Sequence, residues 1–102
     1  IKRPIMTRLL LEKCKKLIIT EDDLYNEEFK YIVYDMTKGQ KKDNYEIIED
    51  RKKAINKGMK YLEEKDVLLI LGKGHEEYIK KKDKLIKHND AKAVLEIINK
   101  KI

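Results

Sequence analysis

Asp66-Val67-Leu68-Leu69-Ile70-Leu71-Gly72-Lys73-Gly74-His75-Glu76-Glu77-Tyr78 carries five uninterrupted apolar residues into a loop punctuated by two glycines. A short apolar run bounded by turn residues predicts a strand buried on both faces, as in a parallel sheet covered by helices. Open α/β sheets bind ligands in the crevice outside the carboxyl edge of their strands. Lys73, His75 and Glu76 fall at such an edge. Gly72 and Gly74 allow positive φ there, or the close approach of a ligand. Spacing alone is satisfied equally by a polar turn.

Working outward, Pro4 suits a first helical turn, and Met6, Leu9, Leu10 and Cys14 recur at helical spacing, which predicts a helix from Pro4 to Lys15. Leu17 to Thr20 reads as a short buried strand ending in the acidic cluster Glu21-Asp22-Asp23. Phe29, Ile32, Val33 and Met36 form a second helical stripe, with Asn26 as its cap, Gly39 as its stop, and Tyr31 and Tyr34 at its margin. Tyr45 to Ile48 reads as a strand. Asp50 caps a third helix with Ala54, Ile55, Gly58, Met59 and Leu62 inward. Tyr78-Ile79 and Leu85-Ile86, flanking Lys82-Asp83, predict a hairpin, and Asn89 or Asp90 caps a last helix with Ala91, Val94, Leu95 and Ile98 inward.

The expected order is αβαβαββα: a Rossmann-like, three-layer α/β unit with a mostly parallel sheet and a C-terminal hairpin. Its lead helix has no preceding strand, and the chain opens on Ile1-Lys2-Arg3-Pro4 without an initiator methionine. Both features point to an N-terminally truncated domain spanning residues 1–102.

The chain has 102 residues, 43% of them charged, and a net charge of +6. This balance permits an anionic partner. Its basic residues are dispersed and mostly lysine; only Arg3, Arg8 and Arg51 are arginines, without aromatic interleaving, which argues against nucleic acid. Cys14 is the single cysteine, so no intrachain disulfide and no zinc-ligand spacing exist, and its register with Met6 and Leu10 predicts a packed core thiol. No apolar run reaches the length of a membrane span and no signal peptide is visible, so a cytoplasmic location is expected.

In a parallel sheet, Thr20 to Asp23, Glu49 to Arg51 and Gly72 to Glu76 would share one edge. That wall would gather Asp22, Asp23, Glu27 and Glu76 with Arg51, Lys73 and His75. Carboxylates beside a crevice can hold the ammonium of an amino acid while a cation holds its carboxylate. Taken singly, Asp22 and Asp23 are accounted for as solvated turn residues, Asp50 as a helix cap and Arg51 as a surface cation. His75 and Glu76 lack a third ligand at a metal-site spacing. Gly72-Lys73-Gly74 has neither the length nor the Ser/Thr of a Walker loop, and no nucleophile is paired with a base. By chemistry the loop is a binding wall without a complete active site.

Gly72-Lys73-Gly74-His75-Glu76 followed by Tyr78 resembles the G-K-G-H-E-x-Y signature of the Mur ligases, in particular the branch that adds the third amino acid of the peptidoglycan precursor. Lys2-Arg3-Pro4-Ile5-Met6 is similar to the K-R-P-x-M segment of the family's C-terminal domain. Thr20, Asp22 and Glu27 match T-x-D-N-P-R-x-E in part. Asp50-Arg51 with Ala54-Ile55 matches D-R-x-x-A-I, and Asp90 matches the acidic start of the last helix. The resemblance runs collinearly through practically the whole chain.

It implies an ATP-dependent ligase, working with ATP and Mg²⁺ bound mainly by a central domain absent from this chain. Such an enzyme joins a diamino acid (diaminopimelate, lysine or similar) to UDP-MurNAc-L-Ala-D-Glu through an acyl phosphate. The C-terminal domain closes over ATP and receives the incoming amino acid. Gly72, Glu76, Asp22, Asp23 and Arg3 are the implied substrate-binding residues, supported by Lys73, Gly74, His75 and Arg51. No catalytic residue and no metal ligand is expected here, and the 102 residues alone should be inactive without the rest of the polypeptide. Asp22-Asp23-Leu24-Tyr25 stands where the diaminopimelate-adding branch has D-N-P-R, so the motif leaves the amino acid open. The alternative is a non-catalytic basic α/β module that binds an anion or acts as a scaffold.

Overall fold

The structure is a computed structural model, and it describes residues 2–25, 27–73, 76–81 and 84–101. Its elements are α1 (Lys2–Lys13), β1 (Ile18–Ile19), α2 (Phe29–Thr37), β2 (Glu46–Ile47), α3 (Arg51–Tyr61), β3 (Tyr78–Lys81), β4 (Lys84–Lys87) and α4 (Asp90–Lys101). The strands and helices expected from the apolar pattern are present in the expected order, with one exception at residues 67–71. β1 and β2 pair in parallel, Ile18 opposite Glu46 and Ile19 opposite Ile47. The ladder continues past both, with the Glu21 N–H donating to the Glu49 carbonyl. β3 and β4 form the antiparallel hairpin; its turn at Lys82-Asp83 and the Asn26 cap lie outside the described residues.

The helices pair as α1 with α2 and α3 with α4 about the strands. In α2 the stripe residues Phe29, Ile32, Val33 and Met36 are all half-buried, and Tyr31 and Tyr34 are exposed. Gly39, at φ +79°, takes the left-handed conformation that ends the helix. α3 starts where the Asp50 carboxylate accepts from the Lys53 N–H at 3.0 Å. Its buried face is Arg51, Ala54, Ile55 and Gly58, while Leu62, just past the helix end, is exposed.

Three expectations need correction. Residues 67–71 are extended but make no ladder with another strand among the described residues. Their exposure alternates: Leu68 and Ile70 are half-buried, whereas Val67 is 84% and Leu69 68% exposed. The run is therefore buried on one face, because α3 covers that face alone. At the closest approach a β-carbon on Gly58 would lie 3.0 Å from Leu68 Cδ1 and 3.8 Å from Ile18 Cδ1. Cys14 is exposed; α1 ends at Lys13, and its Met6 and Leu9 face solvent rather than closing a stripe. α4 buries Asp90 and Ala93, with Val94 and Ile97 half-buried, and turns Ala91, Leu95 and Ile98 outward. The apolar pattern of α4 contains two overlapping stripes, and the ion pair made by Asp90 selects between them.

Gly58 lets α3 sit directly on β1 and the 67–71 segment together. Gly58→Val should wedge them apart and destabilise the chain by about 1–3 kcal/mol, an overpacking cost, read as a lower urea midpoint.

Candidate functional site

Two charged clusters stand at the carboxyl edge, where β1, residues 67–71 and the start of α3 converge. The inner one is built on Arg51. Its guanidinium donates from Nε and Nη2 to the two carboxylate oxygens of Asp90, both at 2.8 Å, in the bidentate geometry that arginine favours. It also donates to the Glu21 carbonyl at 3.0 Å and to the Leu71 carbonyl at 2.9 Å. Arg51 is 3% exposed and Asp90 6%. His88 Nε2 shares a 2.6 Å hydrogen bond with Asp90 Oδ1. The Glu21 carboxylate, also buried, pairs with the Lys81 ammonium and accepts from the Arg51 N–H. Burial pushes the Asp90 carboxyl up, but the hydrogen bonds from Arg51 and His88 outweigh it and hold the group below the usual carboxylate range.

The outer cluster is built on Lys73. Its ammonium is sealed from solvent and lies 2.7 Å from Asp23 Oδ1, 3.0 Å from Glu76 Oε2 and 3.8 Å from Asp22 Oδ1. Asp23 is largely covered, and its Oδ1 accepts from the Lys80 N–H as well, at 2.9 Å. Burial again pushes Asp23 up, and Lys73 with the Lys80 N–H bring it below its ordinary value. Asp22 and Glu76 keep about half of their side-chain surface open, 48% and 46%. Three carboxylates against one ammonium leave a net negative rim whose free oxygens belong to Asp22 and Glu76. A cation can dock there with both oxygens already oriented by Lys73.

Gly72 is part of this geometry. It sits at φ +113°, and a β-carbon there would collide with the Asp22 carboxylate. The Asp22-Asp23-Leu24-Tyr25 loop is clamped to the hairpin by the Leu24 N–H, which donates to the Lys80 carbonyl at 2.8 Å.

The structure thus brings together Asp22, Asp23, Gly72, Lys73 and Glu76, and separates the rest of the expected wall. Arg51 faces Asp90 rather than the rim. Arg3 forks onto the two Glu27 oxygens at 2.8 and 3.1 Å and reaches Asp35 at 3.2 Å, tying α1 to the loop before α2 and to the second half of that helix. Gly74 and His75 lie outside the described residues. Sequence reasoning missed the Glu21–Lys81 pair and the ligation of Arg51 by Asp90, which His88 in turn holds. The two-residue alternation of β3 does carry one signal: it sends Ile79 and Lys81 inward and Tyr78 and Lys80 outward. Among the described residues no group of three or more His, Cys, Asp and Glu is arranged to hold a metal ion. No helix among them is long and apolar enough to cross a membrane.

Comparison with known proteins gives a consistent picture. The family model for the glutamate ligase domain of Mur ligases matches residues 2–74. The chain is 42% identical over 97 residues to a UDP-N-acetylmuramoyl-L-alanyl-D-glutamate–2,6-diaminopimelate ligase of Clostridium tetani, covering 95% of the chain and 20% of that protein. It is also 42% identical over 101 residues to the ligase of the same name from Clostridium botulinum, covering 99% of the chain and 21% of that protein. A solved structure of a ligase with this name superposes with a TM-score of 0.89 at 29% identity, over 98% of the chain and 21% of that structure. The chain spans about a fifth of the length of these relatives.

Two outcomes follow from the clusters. Asp23 and Asp90 both titrate below their ordinary 3.8, so the stability they supply is present above that value and lost as pH falls through the lowered ones. Urea midpoints should fall as the pH drops below the ordinary carboxylate value, and Asp90→Asn should flatten that limb while lowering the midpoint at pH 7. Lys73→Met strands the covered Asp23 carboxylate, whereas Asp22 and Glu76 can rehydrate. It should cost about 1–3 kcal/mol in the same measurement.

Proposed function

The chain belongs to the Mur ligase family, and from that premise we propose that it forms most of the C-terminal domain of an ATP-dependent amide-forming ligase. The whole enzyme would add a diamino acid to UDP-MurNAc-L-Ala-D-Glu in the cytoplasmic assembly of peptidoglycan. The first strand and helix of the domain, with the ATP-binding and UDP-binding domains, would belong to the rest of the polypeptide. The uncovered face of residues 67–71, which make no strand ladder among the described residues, suits such a strand and helix.

The observation that carries the reading is the Lys73-centred rim. An incoming diamino acid arrives with an ammonium group, and Asp22 and Glu76 offer half-open carboxylates held by a buried lysine. Gly72 keeps the space beside Asp22 free. Asp23 and Lys73 act from behind, as the groups that orient the two rim carboxylates, and Arg51 fixes the strand ends that carry them. Arg3 would contribute through the position of Glu27 and of the loop before α2. The described residues do not fit ATP or Mg²⁺: they present no phosphate loop and no metal cluster. ATP and Mg²⁺ would supply carboxylate activation from the central domain, and no step of that chemistry falls to this chain's residues. The other reading, an anion-binding module built on the glycine loop, meets the difficulty that Lys73 is already saturated by three carboxylates.

The test uses the full-length parent protein with UDP-MurNAc-L-Ala-D-Glu, ATP, Mg²⁺ and a panel of diamino acids, scoring phosphate release and product mass. Turnover with at least one of them is expected, and folded protein inert toward all would overturn the proposal. Glu76→Gln removes half of the open negative rim. It should raise KM for the amino acid about tenfold or more, the worth of a charge-assisted hydrogen bond, with KM for ATP unchanged.

A further inference from the structure

Resting on the reading just given, we infer that Lys80, seated over Tyr25, is the residue that selects an incoming amino acid bearing a carboxylate at its far end. Lys73 is shared by three carboxylates, Lys81 is paired with the buried Glu21, Arg51 with Asp90, and Arg3 with Glu27 and Asp35. Lys80 makes no ion pair among the described residues. Its backbone N–H nevertheless donates to Asp23 Oδ1 at 2.9 Å, which fixes its main chain against the cluster. The alternation of β3 turns its side chain outward, away from the buried Glu21. Lys84 pairs with Lys81 and lies on the other face of the hairpin, and Lys87 lies one outward pair further along, opposite Tyr78.

Tyr25 supplies the second observation. It is a non-glycine residue at φ +52°, a left-handed conformation that costs a residue of this kind about 1–3 kcal/mol. The conformation is imposed by the clamp on Lys80: the Tyr25 N–H donates to the Lys80 carbonyl at 3.3 Å, and Tyr25 bridges to Lys81. The result is a ring 59% exposed, with the Lys80 ammonium 5.9 Å from its centre. A ring at that distance restrains the lysine without consuming its charge. Lys80 is thereby a cation without an ion pair among the described residues, seated by Tyr25 and tied through its main chain to Asp23, behind the half-open Asp22 and Glu76.

A group with both an ammonium and a carboxylate matches this juxtaposition, and an ammonium alone leaves Lys80 idle. The far end of 2,6-diaminopimelate, the amino acid in the relatives' names, is such a group; the far end of lysine is not.

The experiment takes the full-length parent protein and measures KM and kcat separately for meso-diaminopimelate and for L-lysine in the wild type, Lys80→Ala, Lys80→Gln and Lys80→Arg. The wild type should favour diaminopimelate. Lys80→Ala and Lys80→Gln should raise its KM about ten- to a hundredfold, the worth of a hydrogen bond to a charged group, with KM for lysine within about twofold on the same scale. Lys80→Arg should restore most of the loss, which a merely structural effect on the hairpin would not reproduce. Wild-type turnover of lysine alone, or equal changes for both amino acids, would overturn the role of Lys80 while the ligase reading stands. A wild type inert toward every diamino acid would overturn both.

Discussion

Arg51 donates at once to the last carbonyl of the 67–71 run, to the carbonyl of Glu21 just beyond β1, and to both oxygens of the first residue of α4. Four segments that are distant in sequence therefore end at one buried guanidinium. The arrangement is costly to assemble, because a charge withdrawn from water repays its desolvation only when its geometry and hydrogen bonds are good. Here two carbonyls and a bidentate carboxylate provide the match, and His88 and Glu21 complete the shell. The consequence is geometric. The loops that carry Asp22, Asp23, Gly72, Lys73 and Glu76 leave a common anchor, so their relative positions are set before any ligand arrives.

The second charged cluster converts that anchor into a surface. Lys73 faces inward, in a loop where a glycine neighbour permits positive φ, and it gathers carboxylates from the end of β1 and from its own loop. The asymmetry of exposure matters more than the number of charges. Asp23 is spent on Lys73 and on the backbone of β3, whereas Asp22 and Glu76 remain open to a guest. The hairpin takes part as well, since the hydrogen bonds that clamp residues 22–25 to Lys80 also place Tyr25 and the Lys80 side chain at the margin. Substrate-contacting and supporting groups thus divide along the line between half-open and covered side chains.

Much of the scaffold was legible in the sequence because its signals are local. The stripe of α2, the Asp50 cap, the short apolar runs of β1 and β2 and the hairpin each follow from residues within a few positions of one another. The departures arise where a distant contact decides. α4 carries two overlapping apolar stripes, and the bond between Asp90 and a residue 39 positions earlier sets its rotation. Val67 to Leu71 reads as doubly buried from its composition, yet only α3 covers it. Cys14 falls beyond the end of α1, so its helical register with Leu10 buries nothing. For the site, the residue types of the glycine loop and of the acidic loop were visible. The seating of Lys73 against Asp23, a partner 50 positions away, was not. Nor was the withdrawal of Arg3 onto Glu27 and Asp35, because each of these is a tertiary choice among several charged neighbours.

A crystal structure of the full-length parent protein with a diamino acid bound would show directly where the ammonium of the incoming amino acid goes. The expected result is an ammonium within hydrogen-bonding distance of Glu76 or Asp22, with Lys73 still seated against Asp23 behind them. An amino acid bound elsewhere, with the Lys73 cluster intact and its rim open, would contradict it.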